Sequence, residues 1–131
     1  MLIIVADQGG LAGAAIRHAL ESKLQDKTVR VVSAFKWKDV VYYLEKYRPA
    51  TVLAAQPIKD FPSSSIFASE VKKVCPDAGF FVYNCMLPEQ SPDIDGYLPA
   101  CPRGSIDSVI VPFFRSVIRN RSTRPGQLQL F

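Results

Sequence analysis

The sequence predicts an α/β fold: a doubly wound parallel sheet of five strands in the order 2-1-3-4-5, with helices on both faces. Three observations predict it. Short apolar runs rich in β-branched residues alternate along the chain with stretches of helical periodicity. The runs are apolar on successive residues rather than on alternate ones, the pattern of strands covered on both sides. The connections are long enough for helical crossovers, which are right-handed and join parallel strands. With 131 residues, 48% of them apolar and 21% charged, the chain has the size of one domain with its own core.

The elements follow in order. Leu2–Ala6 is a continuous apolar strand, and Asp7–Gly10 is a turn. From Leu11 to Leu24 the pattern is helical, with Ala12, Ala15, Ile16, Ala19 and Leu20 on one stripe. Thr28–Val32 is the second strand, and Trp37–Tyr47 the second helix, with Val40, Val41, Leu44 and Tyr47 inward. Arg48-Pro49 stops that helix, because the residue before proline is pushed out of the helical region. Thr51–Ala55 is the third strand, and Pro57, Asp60 and Pro62 mark a loop. Ser63–Ser65 offer N-caps for a helix carrying Ile66, Phe67, Val71 and Val74.

Gly79–Asn84 is the fourth strand. The stretch from Met86 to Asp95 contains Pro88 and Pro92, too short and too interrupted for a regular helix. The helix expected between strands four and five is therefore lost or reduced to a loop. Gly96–Leu98 is a short fifth strand. The last helix runs from about Ser105 to Ile118, with Ile106, Val109, Ile110, Phe113, Phe114 and Val117 inward. Pro112 is a misfit inside it, where the helix starts or kinks. Residues 1–118 form the domain, and 119–131 read as a basic, polar tail or linker.

Composition narrows the function classes. The net charge of +4 comes from Arg115, Arg119, Arg121 and Arg124, in a last stretch that has no acid. The body is neutral and is a poor binder of phosphate backbones, so DNA enters only through a separate domain if the chain is a fragment. Three cysteines, Cys75, Cys85 and Cys101, with no CxxC spacing, and a single histidine, His18, argue against a disulfide framework and a zinc site. His18 falls off the apolar stripe of its helix and reads as a surface residue. The start has no basic region ahead of its apolar run, and no run is long enough to span a bilayer, so the expectation is a cytoplasmic protein without a membrane partner. No nucleophile stands beside a base, and no serine sits in a GxSxG elbow, so no enzyme and no cofactor are expected.

In a sheet of this kind, which is flavodoxin-like, function gathers at the carboxyl ends of the strands. Gln8–Gly13 opens the first helix and raises one alternative, a small-ligand or nucleotide-binding domain whose glycines cradle a phosphate. The run matches neither GxGxxG nor a P-loop. Small residues that let a helix pack closely on the sheet explain it as well.

The order of elements, and the stretches IIVADQGGLAGAAIRHALE, VRVVSAFKWKDVVYYLEKYRPATVLAAQ and GYLPACP, resemble the response-regulator receiver (CheY-like) superfamily over about residues 1–118. Receivers hold Mg²⁺ with an acidic pair after the first strand. They use an Asp ending the third strand as phosphoacceptor, a Ser or Thr ending the fourth and a Lys ending the fifth. Carried over, the acidic pair falls on Ala6 and Asp7, the acceptor on Ala55, the hydroxyl on Asn84 and the lysine on Ala100. The aromatic switch position falls on Tyr97. Of the acids only Asp7 is present, and by itself it reads as a solvated carboxylate or a cap of the first helix.

Phosphoryl transfer to a carboxylate needs a nucleophile, a cation and positioned donors. Ala55 supplies no nucleophile, and Asp7 without its partners is a weak Mg²⁺ ligand set. The resemblance thus implies a pseudo-receiver of a two-component system, a protein-interaction or dimerisation module in bacterial signal transduction or transcription regulation. Receivers signal through the face formed by the helix after strand four, strand five and the last helix. Here that switch and partner surface is expected to consist of Met86, Leu87, Ile94, Tyr97, Leu98 and Phe113, open to a protein partner or a second copy of the chain. The opposing expectation is that the loop folds back and seals the core.

Overall fold

The computed structural model describes residues 1–7, 11–54, 60–83, 91–98 and 106–123, and leaves the side chains of residues 11, 12, 106, 107 and 120–123 undescribed. Five strands, β1 (Leu2–Ala6), β2 (Arg30–Ala34), β3 (Ala50–Ala54), β4 (Gly79–Tyr83) and β5 (Gly96–Leu98), form one parallel sheet in the order β2-β1-β3-β4-β5. The helices are α1 (Leu11–Leu24), α2 (Trp37–Lys46), α3 (Ser64–Val74) and α4 (Val111–Thr123), the last entered through a π-helical turn at Ile106–Ile110. This is the doubly wound α/β fold that the alternation predicts.

The strand side chains alternate between two cores, as the period of two requires. Leu2, Ile4, Ala6, Val52, Ala54, Phe80 and Val82 face α2 and α3, with Val40, Leu44, Phe67 and Val71 against them. Ile3, Val5, Leu53, Phe81 and Leu98 face α1 and α4, with Ile16, Leu20, Ile110 and Phe114 against them. Among the described residues, no helix is long and apolar enough to cross a membrane.

Local chemistry explains most boundaries. Ser63 caps α3, its hydroxyl accepting from the Ile66 N–H at 3.2 Å. β2 begins two residues later than Thr28, because Asp26 takes Thr28 into a tight turn: its carboxylate accepts from the Thr28 N–H at 2.8 Å and hydroxyl at 2.6 Å. On α1, Ala15 is exposed rather than inward, and His18 is exposed.

The last helix departs from its predicted course. Pro112 has no N–H, and its ring crowds the carbonyl four residues earlier, at Ser108. The π-helical turn ends two residues before Pro112 and widens the backbone there. The widened turn also shifts the buried stripe to Ile110, Val111, Phe114 and Val117, leaving Val109 and Phe113 half-buried. The helix continues beyond Ile118 to Thr123.

Candidate functional site

At the carboxyl edge of the sheet, Ala34, Ala6 and Ala54 are Cα partners across three neighbouring strands, and Val82 continues the row on β4. All four are buried. The row offers no polar group, and Ala6, where the receiver pattern has its first acid, is part of it.

Asp7 comes next. Its N–H donates to the Ala34 carbonyl at 3.2 Å, extending the β1–β2 ladder by one residue. Its side chain is 1% exposed, so the solvated-carboxylate reading is corrected: Asp7 is buried beneath the first turn of α1. A Cβ placed on Gly13 would collide with the Asp7 carboxylate. Gly13 is therefore required for clearance, which lets α1 pass directly over the acid. The residues do not fit a Mg²⁺ site: one carboxylate is present, a buried alanine stands in place of its neighbour, and the sequence from Ala55 to Lys59 contains no acid.

The next carboxylate along the chain, Asp60, is committed elsewhere. Lys36 occupies the N-cap position of α2 without making a side-chain cap. Asp60 supplies one instead, its carboxylate accepting from the Trp37 N–H at 2.7 Å. A negative group there satisfies an open donor and complements the helix dipole. The tie draws the β3–α3 connection onto α2, where Phe61 meets the edge of Trp37 at 5.1 Å and stacks on Phe67 at 5.5 Å.

Beyond β4, Ser91–Asp95 form turns rather than a helix. The Asp95 N–H donates to the Phe80 carbonyl at 2.8 Å, and its carboxylate accepts from the Phe80 N–H at 2.8 Å. Lys72 of α3 closes the knot, its Nζ donating to Asp95 Oδ2 at 2.8 Å and to the Ala78 carbonyl at 2.6 Å. Held this way, Ile94 packs into the core with α2 and α3, at 8% exposure. Leu98 is buried on the other face at 6%. Tyr97 and Phe113 are half-buried, Phe113 lying edge-on to Phe81 at 4.8 Å. Among the described members of the expected partner surface, Ile94 and Leu98 are thus consumed by the core, and Tyr97 and Phe113 keep exposed area. Ala55, Asn84, Met86, Leu87 and Ala100 lie outside the described residues.

Sequence reasoning missed the Lys72–Asp95 knot and the Asp60 cap. Lys72 precedes Asp95 by 23 residues, and neither spacing nor composition pairs them. The usable signal is limited to Pro92-Asp93, the turn ahead of the short strand.

No protein-family model matches the chain, and no curated protein matches it significantly. Solved structures do match, response regulators among them. One is the Salmonella typhimurium RcsB response regulator, from work on conformational dynamism for DNA interaction: 17% identical, with a TM-score of 0.61 over 100% of this chain. This chain spans 65% of the length of that one. The other, the response regulator StyR, is 12% identical over 93% of this chain and 66% of its own, with a TM-score of 0.47. On the first of these, the chain has the fold of a response-regulator receiver domain.

Proposed function

We propose that this chain is a pseudo-receiver: a phosphorylation-independent module that works by contact, with a protein partner or a second copy of itself, in signal transduction or transcription regulation. The observation that carries the reading is the fate of the carboxylates around the end of β3. Asp7 is buried against Gly13, the residues from Ala55 to Lys59 are free of acids, and Asp60 is spent on the N-terminus of α2. A receiver fold without an acceptor carboxylate keeps a shaped surface and loses the chemistry. The half-exposed Tyr97 and Phe113 at β5 and α4 support the contact role, since partly exposed aromatic residues favour interfaces.

Incubation with acetyl phosphate and Mg²⁺, followed by intact-mass measurement, tests the first half. No mass increase is expected, and a stoichiometric acid-labile phosphate would overturn the proposal. The second half is read by sedimentation of the native chain and of Tyr97→Ala at tens of micromolar. A native chain that associates, and a folded variant that does not, is expected. Unchanged association in the variant would move the contact surface elsewhere.

A further inference from the structure

The amino edge of the sheet carries a cluster unrelated to the receiver pocket. Between the starts of β1 and β2 and the end of α2 lies an open cavity of about 270 Å³, whose walls include Thr28, Arg30, Lys46, Tyr47, Arg48 and Pro49. Three of these are cations, and among the described residues no carboxylate lines the cavity. None of the three joins an ion pair among the described residues. The acids nearest in sequence are Asp26 and Glu45. Asp26 is taken up by Thr28, whose hydroxyl and N–H hold its carboxyl below the ordinary value. Glu45 lies exposed on α2, outside the lining.

The cations come from three different places. Lys46 is in the last turn of α2, where the dipole favours it, and its Nζ lies 4.7 Å from the centre of the Tyr42 ring, at the margin of the cavity rather than inside it. Arg48 follows the α2 C-terminus closely enough to feel the same dipole, and Arg30 comes from the start of a strand. Arg30 is also held in place: its Nη1 donates to the Tyr47 hydroxyl at 3.1 Å, and its guanidinium carbon lies 5.4 Å from the Tyr47 ring centre. The rest of its planar fork remains for a ligand, and that fork matches the oxygens of a phosphate. Like charges around one cavity raise each other's energy, and a multivalent anion among them reverses the sign.

We infer that this cavity binds the phosphate end of a small phosphorylated ligand, with Arg30 as the directional contact and Lys46 and Arg48 as flanking charges. The inference stands apart from the pseudo-receiver reading, because the two involve opposite edges of the sheet.

The test is a titration of the full chain with inorganic pyrophosphate at constant ionic strength, followed by amide chemical shifts. Saturable shifts clustered at residues 28–30 and 46–48 are expected. An Arg30→Gln, Arg48→Gln variant, checked by circular dichroism, should bind about tenfold more weakly or worse, since each loses a charge-assisted bond. Lys46→Gln, further from the sheet, should weaken binding less. ADP in a parallel arm separates the sources: tighter binding than pyrophosphate points to a nucleotide, and equal binding to the phosphate alone. Tricarballylate binding as tightly as pyrophosphate would overturn the proposal, as would shifts spread over the surface, shifts that never saturate, or full affinity in the double variant.

Discussion

The two faces of the sheet close their cores by different means. Over the α1 and α4 face, helical side chains supply most of the described cover: Ile16 and Leu20 from one helix, and Ile110, Val111 and Phe114 from the π-helical turn and the other helix, lie against Ile3, Val5, Leu53 and Phe81. On the opposite face, α2 and α3 pack on the sheet, and among the described residues Ile94 and Tyr97 join the same core from beside and on β5. The difference is one of anchoring. A helix satisfies its own backbone groups and can sit on apolar contacts alone. A short loop cannot, so Ile94 is held by the carboxylate of its neighbour Asp95, which takes the Phe80 N–H and the Lys72 ammonium together. One ion pair with its hydrogen bonds thus organises the turns at Ser91–Asp95.

Truncations measure that difference. Phe114→Ala, in the helix-covered core, should cost about 3–5 kcal/mol in urea unfolding. Ile94→Ala should cost less, about 2–3 kcal/mol, because the loop can settle partly into the space. Asp95→Asn leaves Lys72 half-buried without its counterion and weakens the bond to Phe80, for about 1.5–3 kcal/mol. It should also speed hydrogen exchange of the Phe80 amide. If Asp95→Asn costs nothing while Ile94→Ala costs its full amount, the loop is held by packing alone and the comparison fails.

The smallest expected effect lies at the carboxyl edge. Gly13→Ala drives a methyl group into the buried Asp7 carboxylate and should destabilise by about 1–3 kcal/mol. Asp7→Ala removes the obstacle, so the double variant should recover most of the loss, a coupling that thermal or urea unfolding of the four proteins would read. Additive costs in the double variant would show that Gly13 is constrained by something other than Asp7.

Much of this was legible in the chain itself. Strands β1 and β5 and helix α1 begin and end where periodicity places them. β2 slid by two residues because a carboxylate three or four positions before it made a turn that pattern alone does not reveal. Pro112 announced a disturbance, and only the folded backbone resolved it as a widened turn that also brings Val111 into the core. At the candidate site, the absence of an acid where β3 ends is plain from the residues. The burial of Asp7 was not, because an acid following a strand is as readily solvated as covered, and the choice depends on how closely α1 passes.

By itself the sequence determined the fold class, the strand order and the absence of an acid from Ala55 to Lys59, since each rests on local signals: hydrophobic period, breaker residues and the identity of a few side chains. The tertiary structure alone decided which carboxylate serves which end. Asp60 reaches across to α2, Asp95 to α3 and β4, and Arg30 joins Arg48 and Lys46 around one cavity. Those partners lie far apart in sequence in most cases, and charges carry no periodicity that would reveal a meeting. Only the wrapping of helices over the sheet brings Asp60 and Asp95 within hydrogen-bonding distance of their partners and gathers the three cations around one cavity.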